Sequence, residues 1–172
     1  MGMLGAALVY VGFVLFLNAL LVYGKLDGKQ VFPMNIFTGL LIFMGVMRTV
    51  TAQGEGITPY FYAMQSLLFA FTYLWVAINS IWNLDGKGCG WYCLLVAITA
   101  VPTAFTALPD LGLLVLWLMW ASLWFMFFLL LGLGKKVSTI TGHWTVVNAI
   151  ATGVSGYLIL IKWWPWLPPD LK

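Results

Sequence analysis

Trp117, Trp120 and Trp124 stand at i, i+3 and i+7, a spacing that lines three indoles along one stripe of a helix. Their ring faces are polarisable and their N–H groups donate, so the stripe is either packing or the wall of a path for a small polar solute. Phe69 and Tyr73, at i and i+4 with Thr72 and Asn79 nearby, form a second face of the same character. Leu4, Leu8 and Leu15, with Tyr10 and Asn18, form a third. Residues for bond-making chemistry are scarcer: one histidine, His143, and two cysteines, Cys89 and Cys93. The cysteines share a helix face, but zinc takes four ligands and no histidine or third cysteine lies near them in sequence. They are expected to be free thiols that pack. His143 is expected at the start of the last helix in a structural role. No metal, cofactor or catalytic group is expected, and the chain is not read as an enzyme.

The elements that position these faces are membrane helices. Charged residues make up 8% of the 172, against roughly 25% in a soluble domain. Hydrophobic residues reach 63% and mean hydropathy is +1.00, so lipid must cover apolar area that a globular core could not hide. A net charge of +3 over scattered cations forms no basic stripe, which argues against a nucleic-acid partner. Six apolar runs approach the roughly 20 residues that a bilayer requires. They extend from Met3 to Tyr23, Pro33 to Val50, Tyr60 to Trp82, Trp91 to Ala107, Leu111 to Leu131 and His143 to Trp164. Pro33 and Pro59 stand where helices begin, Pro102 lies inside the fourth run, and Pro165, Pro168 and Pro169 stop the sixth. The first run has no basic segment before it and no small-x-small site after it, and is read as a span rather than a secretory signal. Short loops favour three antiparallel hairpins in series, giving a single all-α transmembrane domain over residues 1–172.

Lys25, Lys29, Lys87, Lys135 and Lys136 all fall in loops on one side, whereas the alternate loops, Thr51 to Pro59 and Leu108 to Asp110, carry no Lys or Arg. The positive-inside bias then places both termini outside. Arg48, Lys162 and Lys172 dissent without reversing it. Trp163, Trp164 and Trp166 read as an interfacial anchor. No ionisable residue falls mid-span: Asp27, Glu55, Asp85, Asp110 and Asp170 lie in loops or the tail. Ion-coupled carriers and acidic cation filters need such groups at depth, and no paired Gly/Pro interruptions mark a carrier's broken helices. A scaffold or accessory subunit, whose aromatic faces bind partner helices and transport nothing, stays open as an alternative.

Several blocks recur in a fixed order: Met3-Leu4-Gly5, Tyr10-Val11-Gly12 and Asn18; Leu67-Leu68-Phe69, Phe71-Thr72-Tyr73-Leu74 and Ala77-Ile78-Asn79; Trp91-Tyr92 and Val101-Pro102; then Trp117-Leu118, Trp120 and Leu123-Trp124. With them the chain resembles the AmiS/UreI superfamily of urea and short-chain amide channels along essentially its whole length. Asp85-Gly86-Lys87-Gly88 and the short outer loops are more similar to the amide-channel branch. The resemblance implies six transmembrane helices, as three hairpins around a pore within each protomer, and a homo-oligomer, a hexamer around a lipid-filled centre. It also implies a bacterial-type cytoplasmic (inner) membrane. Leu4, Leu8, Leu15, Phe69, Tyr73, Trp117, Trp120 and Trp124 would form the pore constrictions. Acid-gated members carry a glutamate before Gly153, where this chain has Thr152, and their long His-rich outer loops are missing here.

The expected function is a passive channel for small neutral amides and urea, without acid gating. An unpaired amide entering hydrocarbon costs roughly 2–7 kcal/mol, so a pore need only lower that cost. Thr72, Tyr73, Thr152 and the indole N–H groups are the candidates for exchangeable hydrogen bonds. A cytoplasmic amidase or urease would consume the solute.

Overall fold

The computed structural model describes residues 2–53 and 56–168; Glu55, Pro169, Asp170 and Lys172 lie outside them. Six long helices follow one another: α1 (Gly2–Val22), α2 (Gly28–Gln53), α3 (Ile57–Trp82), α4 (Lys87–Thr106), α5 (Leu111–Phe127) and α6 (Ser138–Leu160). A single π-helical turn, Phe128–Gly132, prolongs α5. Polar residues at the helix starts explain where the observed boundaries depart from the apolar runs. Asp27 and Gln30 form a reciprocal capping box, Gln30 N donating to Asp27 Oδ1 (3.0 Å) and Asp27 N to Gln30 Oε1 (2.9 Å). α2 therefore begins at Gly28 and leaves Pro33 inside the helix rather than at its start. Asp110 is buried and caps α5, accepting from Leu113 N through Oδ1 (2.8 Å), while its Oδ2 accepts from Trp164 Nε1 (2.8 Å). Trp164 is thereby drawn inward beside Gly112, which corrects its reading as part of an interfacial anchor; Trp163 remains exposed. α6 starts five residues before His143 and stops short of Trp163.

Five helices, α1 through the prolonged α5, are long and apolar enough to cross a membrane. α6 is the polar one because its buried face carries Thr141, Thr145, Asn148, Thr152 and Ser155.

The helices close a ring in chain order, α6 returning to α1. Three of its seams are extensive: α1 with α6, α2 with α3, and α4 with α5. The expected series of hairpins would make α1/α2, α3/α4 and α5/α6 the tight pairs; those are instead the looser seams. Glycine sets this offset. A Cβ on Gly12 would stand 2.6 Å from Gly153 Cα and 2.8 Å from Ala149 O, and one on Gly5 would meet Gly156 O at 3.0 Å. Between lipid-bathed helices, where tails are as apolar as leucine, such backbone approach is a main source of association. Gly90 against Gly132 repeats the device between α4 and the π turn. These contacts also fix direction: the end of α1 lies near the start of α6, and the start of α4 near the end of α5. Lys25, Lys29, Lys87, Lys135 and Lys136 are thus gathered at one end of the ring.

Candidate functional site: a cavity beneath an aromatic cluster

Inside the ring is a cavity of about 590 Å³. Leu15 and Asn18 of α1, Phe69, Thr72, Tyr73 and Asn79 of α3, Cys89 and Cys93 of α4, and Trp120 and Trp124 of α5 form its walls. It reaches the surface at the lysine-bearing end, beside Asn83, Asp85, Gly86 and Ser138. Among the described residues, Asp85 is the one carboxylate in its lining, which includes no Lys, Arg or His.

The deep end of the cavity is a cluster of rings. Phe69 is its hub, with its centroid 5.6 Å from Trp117, 4.8 Å from Trp120 and 4.7 Å from Trp124, each pair edge to face. Trp117 meets Trp120 at 5.2 Å in the same manner. Such geometry sets the positive ring edge against the negative ring face. The i, i+3, i+7 stripe of α5 and the i, i+4 face of α3 therefore converge on one another.

Trp120 Nε1 donates to Thr152 Oγ1 at 2.9 Å, which fixes the indole from behind and gives buried Thr152 a partner. Thr72 Oγ1 donates back to Leu68 O at 2.7 Å. These hydroxyl and indole groups are already engaged. The Tyr73 hydroxyl, the Trp124 indole N–H and the Asn79 carboxamide have no hydrogen bond within the described residues, and all three residues line the cavity. Asn18 and Asn35 form a reciprocal carboxamide pair, with Asn18 Nδ2 to Asn35 Oδ1 at 3.0 Å and Asn35 Nδ2 to Asn18 Oδ1 at 2.8 Å.

Of the residues singled out from sequence, Leu15, Phe69, Thr72, Tyr73, Trp120 and Trp124 are brought together on the cavity wall. Trp117 lies behind Phe69, and Thr152 behind Trp120. Leu8 is buried where α1 meets Gly156 of α6, away from this cavity, and Leu4 is 36% exposed. Sequence reasoning missed Asn35, whose partner is on another helix; the only available signal was that an amide at membrane depth requires one. It also read Cys89 and Cys93 as packing alone. They are free and buried, and they stand on the cavity wall.

A sequence profile described as AmiS/UreI family transporter matches residues 3–163. A Mycolicibacterium smegmatis protein provisionally named as an amidate substrates transporter is 40% identical over 165 residues, covering 93% of this chain and 78% of that protein. The acid-activated urea channel of Helicobacter pylori strain J99 is 30% identical over 194 residues, covering 94% and 100%. The crystal structure of the urea channel from that pathogen superposes with a TM-score of 0.83 at 30% identity, over 94% of this chain and 99% of the other. This multi-pass membrane protein belongs to the AmiS/UreI family of transporters.

Proposed function

We propose that each chain is a passive channel for small neutral amides, short aliphatic amides and urea among them, with its path running through the cavity and the ring cluster. The observation that carries this reading is a weakly polar chamber, without Lys, Arg or His in its lining, that ends on rings stacked edge to face. An amide entering from the lysine-bearing side exchanges water for the free Tyr73 hydroxyl, Trp124 N–H and Asn79 carboxamide. These are weak, replaceable partners, and weak binding permits fast exit. Its planar faces then slide against Trp124 and Phe69. Passage beyond requires Phe69 to swing from Trp120 and Trp124, and Trp120 remains anchored on Thr152 meanwhile. Leu4, Leu8 and Trp117 form the wall beyond the cluster. Ions are refused because stripping their water costs far more than a neutral amide loses, and beyond Asp85 at the mouth the lining offers no charged side chain to offset it.

In this reading α6 is the sixth span, because it packs along α1 over its length despite its polar face. The lysine-bearing mouth faces the cytoplasm, both termini face outward, and the protomers assemble as a hexamer in the inner membrane. An amidase or urease at the cytoplasmic mouth would sustain the inward gradient. No acid gating is expected, since Thr152 replaces the glutamate of acid-gated members. A scaffold role loses support, because Trp117, Trp120 and Trp124 are buried within the ring and present no face to a partner helix.

Stopped-flow swelling of proteoliposomes tests the reading. Amide uptake should proceed down its own gradient alone, and Trp124→Ala should change the selectivity among amides. A requirement for a proton or sodium gradient would exclude the channel.

A further inference from the structure

Cys89 and Cys93 are the only two cysteines in the chain, and they stand one helical turn apart on α4. Both are free and buried, and both are on the cavity wall. Inert packing would require neither the pairing nor the shared cavity. Among the described residues no group of three or more His, Cys, Asp or Glu comes together, so the pair cannot build a four-ligand zinc site. What two adjacent sulfurs can complete by themselves is the two-coordinate sphere of a soft, thiophilic cation such as Cu(I), Ag(I) or Hg(II), whose preference for thiolate over oxygen is strong. The way in is open to a hydrated ion, because the cavity reaches the surface beside Asp85, the one carboxylate in its lining.

We propose that Cys89 and Cys93 form a soft-metal site on the wall of the vestibule, and that its occupation blocks amide flow. With Hg(II), two S–Hg bonds form, two S–H bonds break, and both protons leave through the vestibule; nothing is oxidised or reduced. The product is neutral, so no net charge is stranded among apolar walls. With a monovalent ion, one thiolate and one thiol give the same neutrality. The bound ion narrows the chamber just below Phe69, Trp120 and Trp124. The binding half of the proposal stands on the two sulfurs alone; the blocking half rests on the cavity being the amide path.

The test is a titration of the full-length protein in liposomes with mercuric chloride, following thiolate-to-mercury absorption and amide swelling in parallel. The expected result is one mercury per chain and loss of most amide flux, both restored by dithiothreitol. C89S and C93S should each bind far more weakly, and the double variant C89S/C93S, which holds no thiol, should show the same flux with mercury as without it, whatever its own basal rate. Equal inhibition of the double variant, or saturation at one mercury per chain with flux unchanged, overturns the block. Absence of stoichiometric binding overturns the site. A wild-type protein that binds mercury but never conducts amides would confirm the site and sink the channel reading separately.

Discussion

Replacing Phe69 by alanine removes the ring on which the cluster turns. Phe69 makes three edge-to-face contacts, at 5.6, 4.8 and 4.7 Å, with Trp117, Trp120 and Trp124. Each such pair contributes about 0.5–1.5 kcal/mol beyond area burial, so about 1.5–4.5 kcal/mol holds the cluster closed through this residue. A tenfold change in rate corresponds to about 1.4 kcal/mol. If opening the cluster limits passage, Phe69→Ala should raise amide permeability by about tenfold or more, most of all for wider amides. The cost in stability should fall below the roughly 3–5 kcal/mol of a sealed core Phe→Ala change, because one side of the new space is already cavity. The assay is stopped-flow permeability of proteoliposomes to formamide, acetamide and butyramide, with Phe69→Leu as the volume-retaining control. Wild-type permeability to all three amides, in a Phe69→Ala protein with wild-type helicity and assembly, would refute the view that these rings are the barrier.

Four other substitutions or conditions probe the surroundings of the cluster. Thr152→Val leaves the Trp120 N–H buried without a partner and should destabilise by about 1–3 kcal/mol in detergent unfolding, with Thr152→Ser restoring most of it. Asn18→Leu and Asn35→Leu should each destabilise, and their double-mutant cycle should return a coupling of about 0.6–1.7 kcal/mol, the range for polar contacts between membrane helices; a coupling near zero would dissolve the pair. Gly12→Ala pushes a methyl against Gly153 Cα and Ala149 O of α6 and should cost about 1–3 kcal/mol by overpacking, read as a lower unfolding midpoint. Amide flux should be flat between about pH 5 and 7, since the sole imidazole, His143, is absent from the cavity lining; a steep opening on acidification would show a gate that these residues do not explain.

The apolar runs located all six helices, and the aromatic spacing located the ring cluster, because both are local periodicities that burial enforces. What the runs could not reveal was decided between distant residues. Asp27 with Gln30 moves the start of α2 upstream of Pro33 by satisfying helix-end donors that hydropathy does not register. Asp110 was legible only as a loop acid. Its second oxygen holds an indole 54 residues away and converts a presumed membrane anchor into a clasp at the end of α5. Which helices share the most extensive seams was decided in a similar way. Loop length favours consecutive neighbours, but contact between helices in lipid follows small residues, and the glycines of α1 match those of α6 at the far end of the chain.

α6 brings these points into one argument. By composition it is the least membrane-like of the six helices, and by packing it belongs to one of the most extensive seams of the ring. Both properties have the same origin. Its glycines let α1 approach to backbone distance, and its threonines, serine and asparagine turn inward, where Thr145 Oγ1 donates to Thr141 O and Asn148 Nδ2 to Trp144 O, one turn back, while Thr141 Oγ1 and Asn148 Oδ1 have no partner among the described residues. Groups satisfied within their own helix can be buried without a partner across the seam. Thr152 is the one of them that bonds across a seam, its hydroxyl oxygen accepting from the Trp120 indole of α5. A glutamate at that position would set an ionisable group directly behind the ring cluster, and the threonine supplies the same anchoring oxygen without a charge. Position 152 is therefore where a change of one side chain should make flux depend on pH, and Thr152→Glu, assayed for amide flux across acidic and neutral pH, is the substitution that decides it.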